Sequence, residues 1–184
     1  MSCLITNGRQ EVCKDSVGGI DAVYFINSGT YDYATDVTFN NTNTDVVDTI
    51  VNVPTVYKYE LKGTSNFEQA LQPNADAGTE LWQQNVLIVL RKQDAVMHKQ
   101  LKLMAYGRPS IIVKNRNGQF FIVGLEYGTD MTAGTISNGT QMLDFNGYNF
   151  TLTAMERMPA NILNCSTESD LLATVLDGAS LVSA

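Results

Sequence analysis

The sequence predicts a mainly β, α+β fold, a β-sandwich or half-barrel with one flanking α-helix and long loops, and three observations carry this. Short runs of β-branched and aromatic residues recur between turn-forming clusters from residue 20 to residue 155. In that span only residues 94–105 switch to helical spacing. Asn115-Arg116-Asn117-Gly118 separates two strongly apolar runs, as a hairpin turn would. With 184 residues, 44% of them hydrophobic, the chain suffices for one core. Residues 1–184 are therefore expected to form one domain, with 1–19 a turn-rich N-terminal arm and 160–184 a C-terminal tail.

Residues 20–26 (IDAVYFI), which follow Val17-Gly18-Gly19, read as a first strand. Residues 27–48 are polar and acidic, and 38–44 (TFNNTNT) are too polar for a core strand, so a long loop or exposed hairpin is expected. Runs 46–53 and 55–61 flank Pro54, and the second alternates Val56, Lys58 and Glu60 against Thr55, Tyr57, Tyr59 and Leu61, the period of a half-buried strand. A short segment at 67–72 enters the turn-prone stretch 73–79, and 81–90 (LWQQNVLIVL) is the most apolar strand.

In 94–105, Met97, Leu101, Met104 and Ala105 share one helical face while His98, Lys99 and Lys102 point elsewhere; with Asp94 as N-cap this is an amphipathic helix, ended by Gly107-Arg108-Pro109. Runs 110–114 (SIIVK) and 119–126 (QFFIVGLE) form a hairpin around Asn117-Gly118. Residues 127–147, rich in Gly, Thr, Ser and Asn, are expected to be a mobile connection or an extended arm. Residues 148–155 alternate Tyr148, Phe150, Leu152 and Ala154 with Asn149, Thr151 and Thr153 as a last strand. Beyond it, Leu171, Leu172, Val175 and Leu176 have helical spacing, with Glu168 and Asp170 in the first turn.

Nothing in this pattern points to catalysis, a cofactor or a metal, and the chain is not expected to be an enzyme. His98 is the single histidine, on the polar side of the helix beside Lys99, and reads as solvated. Cys3, Cys13 and Cys165 are odd in number and lack any C-x-x-C spacing, so free thiols acting as small buried or half-buried fillers are expected. Trp82, Tyr57, Tyr59 and Phe67 suit a stacking platform for a sugar or base, although aromatic residues in alternating strands are more often core. The opening residues lack a basic and apolar leader pattern and no apolar run reaches membrane-spanning length, so cytoplasmic synthesis without a membrane partner is expected.

Charge is sparse and unevenly placed. Only 17% of residues are charged, and the net charge is −7, which opposes tight wrapping on nucleic acid. Between Asp15 and Tyr57 there are six acids (Asp15, Asp21, Asp32, Asp36, Asp45, Asp48) and no Lys or Arg, whereas residues 91–116 hold seven basic residues and one acid, Asp94. These are either two solvated faces or complementary surfaces of neighbouring copies, which meet head to tail in rings or filaments. On the second reading the interface candidates are Asp32, Asp36, Asp45 and Asp48 on one side and Arg91, Lys92, Lys99, Lys102 and Arg108 on the other.

The segments Cys13-Lys14-Asp15-Ser16-Val17-Gly18-Gly19-Ile20, Val23-Tyr24-Phe25-Ile26-Asn27, Gly107-Arg108-Pro109, Asn117-Gly118 with Phe120-Phe121, Gly134-Thr135-Ile136 and Gly147-Tyr148 through Thr151-Leu152-Thr153-Ala154-Met155-Glu156 resemble structural proteins of crAss-like and related Bacteroidota-infecting phages. The resemblance covers residues 3–27 and 107–156 and does not extend past Pro159. It implies a tail-tube-like fold and a self-assembling virion subunit: a homo-oligomeric ring, expected to be a hexamer, stacked into a tube around a channel for phage DNA, touching other virion proteins and assembled in the host cytoplasm. An acidic lumen that repels the genome would suit that role. A head-to-tail neck ring of the same fold is the alternative, and a glycan-binding β-sandwich module is a third reading from another class.

Overall fold

The computed structural model describes residues 7–11, 13–14 and 16–183. Cys3 and Asp15 fall outside them. The elements in chain order are β1 (Ile20–Ile26), α1 (Tyr33–Asp36), β2 (Val37–Phe39), β3 (Val46–Ile50), β4 (Thr55–Glu60), β5 (Asn66–Asn74) and β6 (Thr79–Arg91), then α2 (Ala95–Tyr106). They continue with β7 (Ser110–Asn115), β8 (Phe120–Val123), β9 (Asp130–Ser137), β10 (Gly147–Glu156), β11 (Asn161–Leu163), α3 (Glu168–Asp170) running into a π-helical turn (Leu171–Val175), and β12 (Ser180–Ser183).

The strands form two sheets, in the mainly β arrangement expected. One has eight strands in the order β12-β4-β1-β7-β8-β11-β3-β2, the other four in the order β5-β6-β10-β9. Pairing is antiparallel except at β11–β3 and β12–β4. A first core lies between the sheets: Val23, Phe25, Ile111 and Val113 face Val86, Ile88, Phe150 and Leu152. A second lies on the other face of the large sheet, where Tyr24, Ile26, Ile112 and Phe120 meet Leu163, Leu171, Val175 and Leu176. Residues 20–26 therefore read as a continuous apolar run because successive side chains of β1 enter different cores.

The β7–β8 turn is the expected one, with Gly118 at φ +81°. Helix α2 starts where Asp94 accepts from Val96 N at 3.2 Å, and Met97, Leu101 and Met104 pack on the inter-sheet core. Its other face leaves Val96, Leu103 and Tyr106 exposed. The loop expected over 27–48 is the hairpin alternative: β2 pairs with β3, and Val37 and Phe39 turn inward while Thr38 faces out.

Two expectations are corrected. The stretch 127–147 is not a free connection, because β9 occupies its first half and pairs with β10 from Asp130 to Ser137. The edge of β10 would otherwise leave backbone groups unpaired, and Thr-rich sequence is compatible with a strand. Nor are residues 160–183, the described part of the expected C-terminal tail, set apart from the core. They supply β11 and β12 to the large sheet and bury Leu163, Leu171, Val175, Leu176 and Ala179.

A polar latch holds the C-terminal turn in place. The buried Tyr24 hydroxyl donates to Glu168 Oε2 at 2.7 Å, and Lys58 Nζ donates to the same oxygen at 2.7 Å. Burial raises the Glu168 pKa, but the Lys58 and Tyr24 hydrogen bonds to its charged form outweigh that, so the carboxyl lies below its usual value. A carboxyl depressed on folding adds stability above its unfolded pKa of about 4.3 and loses that contribution as pH falls through the folded value. Glu168→Gln is expected to cost about 1–2 kcal/mol at neutral pH and much less near pH 3. Urea unfolding at both pH values tests this; an undiminished difference in acid would refute the latch.

Candidate functional site

The registers of the small sheet fix which side chains turn away from the core. Phe67, Val86, Phe150 and Leu152 point inward, so Gln72, Gln83, Asn85, Thr151 and Thr153 share the outer face. There Gln72 Nε2 donates to Gln83 Oε1 at 3.3 Å, Gln83 Nε2 to Asn85 Oδ1 at 3.3 Å, and Thr153 Oγ1 to Asn85 Oδ1 at 2.9 Å. The Thr153 hydroxyl also lies 3.0 Å from that of Thr132. A row of neutral amides and hydroxyls thus crosses all four strands. Charges on this face stand at its margins: Glu68 on β5, Asp130 on β9 and Arg91 at the end of β6. Both edge strands, β5 and β9, are paired on one side only.

The four acidic interface candidates gather at the opposite margin of the large sheet, around α1, β2 and β3. Asp32 caps α1 by accepting from Ala34 N at 3.0 Å. Asp36 accepts from Asp32 N at 2.9 Å, and that backbone bond, helped by Asn52, lowers its pKa. Asp48 accepts from Asn40 Nδ2 at 3.2 Å and Asn164 Nδ2 at 2.8 Å. Asp45 sits in the β2–β3 turn, where its carbonyl accepts from Ile162 N. These acids order the local chain as well as charging the surface, and none lies on the small sheet.

The basic candidates divide. Arg91 and Lys92 form the corner between β6 and α2, and Lys99 and Lys102 are exposed on α2. Arg108 is already engaged: Nε and Nη2 grip Asp130 at 2.9 and 2.6 Å, which raises its pKa. Asp21 is likewise met by Lys114 within the chain at 3.0 Å. Among the described residues no ion pair joins Asp32, Asp36, Asp45 or Asp48 to Arg91, Lys92, Lys99 or Lys102.

Two readings of single residues change. His98 is exposed but not merely solvated, for its Nδ1 lies 2.5 Å from the buried Tyr148 hydroxyl, which also donates to Asp94 O at 2.9 Å and so holds the start of α2. Cys13 is exposed and not a filler, whereas Cys165 is half-buried and its thiol is pushed up to about 12 by burial and the nearby Asp170 charge. Of the four aromatic residues considered for stacking, Tyr57, Tyr59 and Phe67 pack against the inter-sheet core. Among the described residues no cluster of three or more His, Cys, Asp or Glu is placed to hold a metal ion, and no helix is long and apolar enough to cross a membrane.

Glu156 is a feature that sequence reasoning passed over. It ends β10 and is 6% exposed, with Oε1 accepting from Glu126 N at 3.1 Å and Tyr127 N at 3.0 Å. Burial raises its pKa against these bonds. It lines a cavity of about 260 Å³ together with Tyr33, Phe39, Glu126 and Arg157. No sequence signal marks it, because the residues around it, apart from its own segment, come from three stretches far from it in the chain: 33–44, Gln84 and 122–126. The outer row of amides was foreshadowed by the Asn149, Thr151, Thr153 alternation. No family model, curated protein or solved structure matches the chain.

Proposed function

We propose that this chain is a structural subunit of a bacteriophage tail tube, forming stacked rings in which the four-stranded sheet lines the DNA passage. The observation that carries the reading is the outer face of that sheet. Its amides and hydroxyls bond to one another across the strands, and the charges lie at the margins, so the middle of the face offers a phosphate no ammonium or guanidinium to hold it. A wall of this kind lets a polyanion slide. On this reading the lumen is neutral where an acidic one would also suit the role, because the acids of 32–48 belong to the other sheet.

The two open edges supply the ring contact. Pairing β5 of one copy with β9 of the next continues the sheet and removes edges that would otherwise invite aggregation. Strand β6, 13 residues long, spans about 40 Å of such a wall. The acidic and basic candidates, unpaired with each other within the chain, add a charge-complementary term to contacts between copies.

Electron microscopy of the purified protein tests the reading. Tubes are expected at high protein concentration, forming more weakly as salt rises because the charged contacts are screened. Single rings that never stack would transfer the assignment to a neck ring, and monodisperse monomers in sedimentation at every concentration and salt would remove it.

A further inference from the structure

The cavity at Glu156 holds two carboxyl groups, Glu126 and Glu156, against one cation, Arg157. Arg157, the nearest guanidinium, is drawn to Glu126 and held over the Tyr127 ring, 5.8 Å from its centroid. Glu156 forms no ion pair among the described residues. The walls are apolar and aromatic, with Tyr33 and Phe39 edge to face at 6.1 Å and Leu125 and Met158 beside them. Aromatic walls over a buried carboxylate suit the stem and head of a long cationic side chain.

The complementary cation lies at the far end of the same ladder. Glu156 pairs with Trp82 at one end of β6–β10, and Gly147 pairs with Arg91 at the other. Nine residue steps along β6, about 30 Å, separate cavity and corner, so the two cannot meet within one chain. Next to Arg91, Lys92 is exposed and holds φ +67°, a left-handed conformation that glycine would adopt without strain. Its backbone N–H donates to Asn146 O at 2.8 Å, which fixes the corner, while its ammonium has no ion-pair partner among the described residues.

We propose that the Glu156 cavity is a socket for the Lys92 ammonium of a second copy. Copies then add head to tail along the β6–β10 direction, the heterologous contact by which one ring seats on the next. This rests on the assembly reading above. The acidic residues around the socket support the same direction: Asp32 and Asp36 flank Tyr33, and Asp45 O accepts from Asn161 Nδ2, whose residue also lines the cavity.

Sedimentation velocity of the full chain over a concentration series tests it. Lys92→Ala and Glu156→Gln are each expected to raise the concentration for half-assembly by about tenfold, with the double variant no worse than either and Lys92→Arg close to wild type. Thermal unfolding checks that Glu156→Gln folds. Should it not fold, zero-length carbodiimide crosslinking of the wild-type protein decides, and links from Lys92 of one copy to Glu126 or Glu156 of another are expected. Wild-type assembly that Lys92→Ala leaves unchanged, or crosslinks from Lys92 only to other carboxylates, overturns the socket alone. A wild-type chain that stays monomeric overturns both the socket and the assembly reading.

Discussion

A chain shortened to end at Asn164 is expected to lose its cooperative unfolding transition. The cut removes Leu171, Val175, Leu176 and Ala179, all buried, and uncovers Tyr24, Ile26 and Ile112 on the face they covered. Burying each large aliphatic side chain is worth about 1.5–3 kcal/mol, so three of them match the roughly 5–15 kcal/mol by which a domain of this size is stable. The loss of β12 also opens the edge of β4, which favours aggregation. Near-ultraviolet circular dichroism and dye binding should report a loosened core. The milder Leu171→Ala should cost about 2–5 kcal/mol in urea unfolding. A shortened chain that melts at the wild-type temperature would mean that the C-terminal segment is dispensable.

Placing positive charge on the small sheet is expected to change how assembled particles hold DNA. Gln83→Lys with Asn149→Lys puts two ammonium groups per copy on the outer face, where the wild type offers neutral amides. If that face lines the passage, a ring multiplies the charges, and DNA retention at about 0.15 M salt should rise by at least about tenfold, with a steep salt dependence. Cosedimentation of particles with double-stranded DNA measures it. A chain carrying two lysines elsewhere, at the exposed Ser166 and Ser169, serves as control. Equal retention by both would place the small sheet away from the passage.

The elements of the fold were legible wherever a local pattern decided them. Asp94 and the Met97, Leu101, Met104 stripe specify α2 within a dozen residues, and Asn117-Gly118 specifies the β7–β8 turn in four. Strand β9 was not legible, because Asp130 to Ser137 carries little apolar alternation and is ordered by the backbone of β10. The candidate site divides the same way. Sequence separated the acidic from the basic segments, but it could not tell that Arg108 is engaged by Asp130 and Asp21 by Lys114.

What the sequence determined by itself was the mainly β class, the strand runs of both cores, the flanking helix with its cap and the segregation of charge, since each depends on residue spacing within a few turns of chain. The tertiary structure decided that residues 161–183 close a core, that an amide row crosses the small sheet and that Glu156 faces a cavity some 30 Å from Lys92. These rest on partners far apart in the chain: Tyr24 meets Glu168 across 144 residues, and Asn85 meets Thr153 across 68. Side-chain periodicity names the face a residue turns to, but only the folded chain supplies what stands opposite.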